Sequence, residues 1–409
     1  MAGENTNPAV VVGLDTMQGI QTARILASYG ISVFGLSGNT KHPNNMTRSC
    51  VSVVHTSGGG EAIVRALEVL GPTLDEKAVL YPCQDSAVAT VSKHRDRLAM
   101  WYYLPLADHQ LVTTLMDKVA FHEYAIEYSL PVPDTYILRN RADAELAALK
   151  LEFPCALKPA YRSPSWSANT TTKAYKLSGP DDLLDRYDEV SSWSELLLAQ
   201  KWVPGGEEEL FSVNAYFAAG GVPLASFVAR KIRQWPPTTG QSSLGVECRN
   251  DDVLESALEL FGKAQYRGLA YLEMKRDSET GRHYIVEPNI GRPTGRSAIA
   301  EAGGVELLYT SYCEATGRPL PTAREQSYGS VKWIHLRRDL QSSIYWWRRG
   351  DLTVRQWLKS IRGPKAFAMW SLNDPVPFVG DLFLTARNAL SKDERARRLP
   401  TFVNNKEVQ

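Results

Sequence analysis

The chain has no run approaching the ~18 consecutive apolar residues that a membrane-spanning helix needs, so no span is expected. Cysteine is sparse. Cys50, Cys83, Cys155, Cys248 and Cys313 are odd in number and form no CxxC pair, which argues against a disulfide framework or a zinc cage and for a reducing compartment. Charge of one sign is lacking too: the net charge is +1 over 409 residues, so the whole molecule offers no footprint for nucleic acid. The opening MAGENTNPAVVVGLD has no basic stretch followed by an apolar core, and no signal peptide is expected. These absences point to a cytoplasmic protein. A dinucleotide fingerprint is also missing, because the first strand runs into GLDTMQG rather than GxGxxG. No Ser-His-Asp or Cys-His arrangement stands out among the seven histidines.

What is present is ordinary globular composition, 44% hydrophobic and 22% charged, and a length that suits two or three domains. Residues 9–14 read as a buried strand, followed by a Gly-bounded turn, a helix with Ile20, Ala23, Leu26 and Ala27 on one face, and the strand 32–36. That is a βαβ unit with a parallel sheet. Further strands are expected at 51–54 and 78–81, with helices at 61–70 and from Cys83 to Leu98. Ligands of open α/β sheets bind at the carboxyl ends of strands, which makes Asp15 and Asp85 candidate substrate contacts; Asp85 suits a helix N-cap equally well.

After Asp117 the pattern changes. An amphipathic helix precedes FPCALKP, a short apolar strand ending in Lys158, where a lysine is costly unless an anion pairs with it. A long polar loop, SPSWSANTTTKAYKL, follows and could cover phosphates as a lid. Glu195 to Val203 reads as a strand, as does Glu207 to Phe217, which opens with three carboxylates; Leu224 to Ile232 leads into the run Arg230-Lys231-Ile232-Arg233.

Gly268 to Ser297 carries the sharpest signal. Two strands, Leu269 to Met274 and Tyr284 to Asn289, flank the hairpin loop DSETG. By alternation Ile285, Glu287 and Asn289 share a face, with Glu287 and Asn289 about 7 Å apart, and Glu273 falls across from Ile285 or Glu287. Two carboxylates this close favour a cation between them, and hard oxygen donors suit Mg²⁺ that also binds nucleotide phosphates. Pro288 cannot donate to a ladder, so this strand should lie at an edge. From Lys332 to Arg398, Lys and Arg outnumber Asp and Glu by 14 to 6, and five of the ten tryptophans fall there. Such a region reads as a membrane-surface or anionic-partner face, or as tryptophans packing the C-terminal region onto the body.

The motifs MDK, FPCALKP, QKWVPGGEEELFSV, RKIRQWPP and IVEPNIGRPTGRS, in that order, resemble the ATP-grasp superfamily over roughly residues 9–320. Within it the chain is similar to the D-aspartate-ligase-like carboxylate–amine ligases, and the C-terminal KWIHLRRDL, WWRRGDLTVRQW and LNDPVPF resemble that branch as well. The resemblance implies an α/β and α+β fold: a Rossmann-like pre-ATP-grasp domain (1–110), a small ATP-grasp subdomain with a phosphate lid (111–200), a catalytic subdomain (201–325) and a basic Trp-rich C-terminal extension (326–409). It implies ATP and Mg²⁺ or Mn²⁺ as cofactors. Lys118 and Lys158 match the lysines that hold ATP phosphates in a cleft between subdomains. Gln200, Lys201, Trp202 and Val203 match the adenine linker, and Glu209 or Glu208 the ribose carboxylate. Glu273, Glu287 and Asn289 match the metal ligands. Arg230, Lys231 and Arg233 lie where cations meet the γ-phosphate, and Arg292 and Arg296 where a substrate carboxylate or developing phosphate charge is bound.

The implied reaction joins a small-molecule acid to an amine through an acyl phosphate, releasing ADP and phosphate, with stabilisation more electrostatic than acid–base. Asp85 or Glu247 is a candidate base for the amine. A Gly-free lid from Tyr161 to Lys173 departs from the family pattern and motivates one alternative, an ATP-binding scaffold or regulator without ligase activity; another ATP-grasp chemistry, a carboxylate–thiol ligase or a kinase-like transfer, is a third reading. Further expectations are a homodimer and, through the basic C-terminal region, peripheral attachment to the inner membrane face or a lipid-linked or cell-surface polymer substrate.

Overall fold

The computed structural model describes residues 6–161, 163–237 and 240–390. Contacts divide the chain into two compact units, one of residues 1–132 and 203–377, the other of residues 133–202 and 378–409.

The first unit opens with β1 (Ala9–Val12), α1 (Met17–Ser28), β2 (Val33–Ser37), β3 (Ser52–His55), α2 (Glu61–Leu70), β4 (Ala78–Pro82), α3 (Asp85–Lys93), α4 (Arg95–Leu98) and β5 (Tyr102–Tyr103). The strands pair in parallel in the order β3-β2-β1-β4-β5. The unbroken apolar run of β1 is fully buried, as a central strand of such a sheet requires. Thr16 caps α1 by accepting from Gly19 N at 2.9 Å. A Cβ at Gly19 would lie 2.2 Å from Gly13 O, so only glycine lets the helix start this close to the strand. The order reverses beside β1, placing Asp15 and Asp85 at the carboxyl ends where the sheet opens. The single helix expected to Leu98 is broken at His94, and Gln84, not Asp85, is the cap of α3. Asp85 is its first residue, where a negative charge meets the positive end of the helix. Two further helices, α5 (His109–Met116) and α6 (Lys118–Glu127), follow.

The second unit is built from β6 (Thr135–Leu138), α7 (Arg141–Lys150), β7 (Cys155–Pro159), α8 (Pro164–Asn169), β8 (Tyr175–Leu177), α9 (Pro180–Val190) and β9 (Leu197–Lys201). Its antiparallel sheet runs β6-β9-β7-β8. Ala144, Ala147, Leu183 and Tyr187 from the two long helices pack with Leu157 and Leu197 of the sheet. The expected polar lid loop instead contains α8. Ser163 caps it through Trp166 N at 2.9 Å, Pro164 sits at its first position, and Trp166 is fully buried, edge-on to Tyr175 and Trp193. The indole N–H donates to Thr172 O at 3.0 Å. Where glycines would leave the loop free to move, the buried aromatic anchors the path of the backbone. Arg162 lies outside the described residues.

The first unit resumes with β10 (Leu210–Ala218), β11 (Val222–Trp235), β12 (Gln241–Glu247), α10 (Asp251–Lys263), β13 (Gly268–Arg276), β14 (His283–Ile290), α11 (Ser297–Ala302), α12 (Leu307–Thr316), β15 (Lys332–Ile334), α13 (Leu336–Arg348), α14 (Val354–Ser360) and β16 (Lys365–Phe367); α15 (Val376–Leu390) is the last described helix. Seven strands form one sheet, β14-β13-β10-β11-β12-β15-β16. The carboxylate triplet Glu207–Glu209 forms a 3-10 turn before β10 rather than its first residues. The C-terminal region, expected as an extension, supplies two strands of this sheet. Its tryptophans divide: Trp333 is buried on β15, Trp346, Trp357 and Trp370 are half-buried with the Trp357 indole N–H donating to Asp339 at 3.0 Å, and Trp347 is exposed. Asp339, buried on α13, also takes both a 2.9 Å and a 3.0 Å bond from Arg233. Residues 368–374 are held against α1, where Gln21 and Arg24 donate to the carbonyls of Ala368, Met369 and Asp374, and Arg24 Nε meets the Asp374 carboxylate at 2.9 Å.

Candidate active site

The β13–β14 hairpin sets the site. Glu273 pairs directly with Glu287 and Tyr271 with Asn289, so four polar side chains share one face. Ile285 does not join them. A bulge at Val286 separates the Glu273–Glu287 pair from the Met274–Ile285 pair, and Ile285 is buried with Met274 in the core. The alternation expected across 285–289 therefore holds only beyond the bulge. Pro288 is tolerated because β14 is the edge strand of its sheet.

Around Glu273 lies a buried charge cluster. Ser212 on β10 sits between Glu273 and Ala229 of β11, and the small side chain leaves room for Lys231 to reach over it. Lys231 Nζ lies 3.4 Å from Glu273 Oε1 and donates to Gln234 Oε1 at 3.0 Å. Arg296 stacks over the Tyr271 ring at 5.3 Å, donates to the Tyr271 hydroxyl and lies 3.4 Å from Glu273 Oε2, to which Tyr271 donates at 3.0 Å. Burial lowers the Lys231 ammonium from its ordinary value even though Glu273 opposes the shift. Burial alone would raise the Glu273 carboxyl, but the Lys231 and Arg296 charges outweigh it and hold the pKa below the usual carboxylate value. Arg296 Nη1 and Gln234 Nε2 are buried without a hydrogen-bond partner among the described residues, two donors suited to an anionic oxygen.

Arg292 joins this face to the first sheet. Its Nε contacts Asp85 Oδ1 at 2.5 Å and its Nη2 donates to Asn289 Oδ1 at 2.6 Å, while Asn289 Nδ2 approaches Glu287 Oε1 at 3.4 Å. Asp85 and Arg292, far apart in sequence, thus meet as an ion pair. Asp15 accepts from Asn39 N at 3.0 Å. Arg230 is exposed on β11, next to buried Lys231. Arg233, expected near substrate or phosphate, is instead committed to Asp339 and donates to Ser360 Oγ at 2.8 Å. A bulge at Ile232 turns the strand between the two cations. Glu209 is gripped by Arg276 at 2.6 and 2.9 Å, which, with Arg230 adding to it, holds its pKa low; Glu208 is exposed. At Gly205, φ is +112°, and a Cβ there would come within 2.8 Å of Glu209 Cγ. Lys118 is the first residue of α6, whose backbone Asp117 caps through Val119 N and Ala120 N, both at 2.9 Å. Val203 is buried.

In the second unit Gln200 pairs across from both Ala156 and Thr135, which puts Lys158 on its diagonal. Lys158 Nζ donates to Gln200 Oε1 at 2.8 Å, and Gln200 Nε2 donates to Thr135 Oγ1 at 2.8 Å. Lys201 forms an ion pair with Glu152, and the Trp202 ring lies under Lys176 at 4.9 Å. Sequence reasoning missed Tyr271, Gln234, Thr135 and Asp117. Tyr271 was detectable, since it precedes Glu273 by the two-residue period of its strand; the others depend on pairings between distant segments or on a cap.

The donor set of Glu273, Glu287 and Asn289 suits a hard divalent cation. No cage of three His, Cys, Asp or Glu groups exists among the described residues, so phosphate or water oxygens would complete the shell.

No protein-family model matches the chain. It is 28% identical over 236 residues to D-aspartate ligase of Enterococcus faecium, covering 55% of each. The chain spans about half the length of the curated relatives it matches, 55% and 58%. Among solved structures it is similar to an ADP complex of N5-carboxyaminoimidazole ribonucleotide synthetase, with TM-score 0.61 and 15% identity over 79% of this chain and 81% of that one. It also resembles the biotin carboxylase domain of Hydrogenobacter thermophilus 2-oxoglutarate carboxylase with MgADP, at TM-score 0.61 and 12% identity over 78% and 72%.

Proposed function

We propose that the chain is an ATP-grasp protein of carboxylate–amine-ligase type, a reading its likeness to D-aspartate ligase and to the synthetase fold supports, and that it joins a small carboxylic acid to an amine at the expense of ATP. The observation that carries the reading is the buried Lys231–Glu273–Arg296 cluster beside Glu287, Asn289 and the two orphaned donors. Such a face is built for phosphate: fixed cations and N–H groups are already aimed and need not reorganise when charge develops. ATP and Mg²⁺ support the same reading, since the fold neighbours include ADP and MgADP complexes. Glu273, Glu287 and Asn289 would hold the metal, which when bound would offset phosphate charge.

In this reading the acid's carboxylate attacks the γ-phosphorus and ADP leaves; the amine nitrogen then attacks the acyl carbon, phosphate leaves with the C–O electron pair, and the nitrogen loses a proton. Lys231 and Arg296 neutralise the transferring phosphoryl group. Arg292, held at 2.5 Å by Asp85, would exchange that carboxylate for the acid's own. Lys118 and Lys158 would bind phosphates, the segment from Gln200 to Val203 the adenine, and Glu209 or Glu208 the ribose. Glu209 would first have to release Arg276.

Incubation with ATP, Mg²⁺ and pools of amino acids and amines tests this. ADP and phosphate should form only when an acid and an amine are both present. AMP with pyrophosphate as products would sink the acyl-phosphate route.

A further inference from the structure

Helix α13 is built inside out. Its buried side carries Asp339, Ser342 and Ser343, while Leu336, Leu340, Ile344 and Trp347 are exposed. These four recur at i, i+4, i+8 and i+11, which is one stripe along a helix. Leu340 is 51% and Trp347 58% exposed. A helix on a water-facing surface does the opposite, so the stripe calls for a partner that removes it from water. The inversion is not a misplacement, because Asp339 is locked beneath the helix by Arg233 and Trp357. Nor is it confined to α13: Val354 and Leu358, one turn apart on α14, are exposed as well.

The charges around the stripe say what the partner is. Arg337 and Arg348 lie three turns apart on the flank adjoining it, Arg349 follows, and Arg355 and Lys359 line one flank of the exposed side chains of α14. Opposed to them is one exposed acid within both helices and their link, Asp351, already paired with Arg349 at 3.3 Å. An apolar stripe ending in Trp and bordered by arginines is complementary to an anionic bilayer surface: the side chains enter the acyl boundary, the indole sits at headgroup level, and the guanidinium groups meet phosphates. We propose that α13, with α14 beside it, docks the chain on the surface of a membrane rich in anionic lipid. The proposal does not depend on the ligase reading.

Flotation of the full chain with vesicles of phosphatidylcholine alone, and of equal parts phosphatidylcholine and phosphatidylglycerol, tests it. The chain should float with the anionic vesicles and not the zwitterionic ones, and should be released by high salt as screening shortens the reach of the charges. Arg348→Gln should weaken partitioning about fivefold, and Leu340→Ser with Trp347→Ser should abolish it, with an unchanged thermal melt showing that the fold survives. Trp347 fluorescence should shift to the blue on binding. Absence of flotation, equal binding to both vesicles, or undiminished binding by the double variant would overturn the proposal. So would a dimer in sedimentation that the double variant breaks, because the stripe would then belong to a second copy.

Discussion

The ordinary pKa of 4.5 for Glu273 is moved down, not up, because the Lys231 and Arg296 charges outweigh burial. A depressed carboxyl contributes stability above its unfolded pKa, so this contribution is present at neutral pH and is lost as the pH falls below about 4.5. Its side chain is 18% exposed, which keeps the cost of Glu273→Gln near the low end for a broken buried pair, about 3 kcal/mol in urea unfolding at pH 7. An unchanged midpoint would show that the two cations do not depend on it. Glu301 has the opposite sign. Burial raises its pKa to about 7, with its oxygens accepting from Tyr29 OH at 3.0 Å and Leu308 N at 2.8 Å. Stability from the protonated form is present below 4.5 and is lost as the pH rises through 7. Relative to Glu301→Gln, the native chain should lose about 2–3 kcal/mol between pH 4.5 and 8; parallel stability curves for the two would refute the shift. The two carboxylates differ in how visible they are. Glu273 stands out because it interrupts an apolar strand, whereas nothing near Glu301 in the sequence signals that α11 and α12 bury it.

Among elements, those with local signals were legible. The helix 61–70 is found where its apolar spacing placed it, and β13 and β14 flank the expected loop. The failures share a cause. The strand β12 begins Gln-Ser-Ser, residues without strand propensity, and it forms because β11 and β15 pair on either side. Helix α8 lay hidden in a polar stretch whose one apolar anchor is Trp166. Removing that anchor with Trp166→Ala should cost about 3–5 kcal/mol, read as a lower denaturant midpoint for the second unit by hydrogen exchange at β7 and β9. For α13 the anchor is a charge. Asp339→Ala strands Arg233 and frees the Trp357 indole, and should cost about 3–5 kcal/mol with faster proteolytic cleavage near α13. Cleavage at the native rate would mean that packing alone holds the helix.

On the scale of the molecule, the sequence marked a parallel α/β start and an acidic hairpin later on, and the strand orders carry both. What it concealed was how far the C-terminal region is built into the first unit. The basic, Trp-rich composition there suggested an appendage, yet β15 and β16 complete the seven-stranded sheet and Trp333 is 1% exposed. Pairing between β12 and β15 joins residues too distant for any local pattern to connect. A chain ended before Ser330 should therefore expose the β12 edge and aggregate; a soluble, cooperatively melting product would contradict this.

The grip of Arg24 on Asp374 spans 350 residues. A ribosome adding about 5–20 residues per second needs roughly 20 to 70 s to cover that distance. Through that interval α1 exists without the groups that satisfy its guanidinium, so the first helix made is among the last to be finished. Completion of the first unit is in this sense gated by the clock of synthesis: the sheet partners of β1 emerge within the first 82 residues, but the bonds from α1 to residues 368–374 must wait for the far end of the chain.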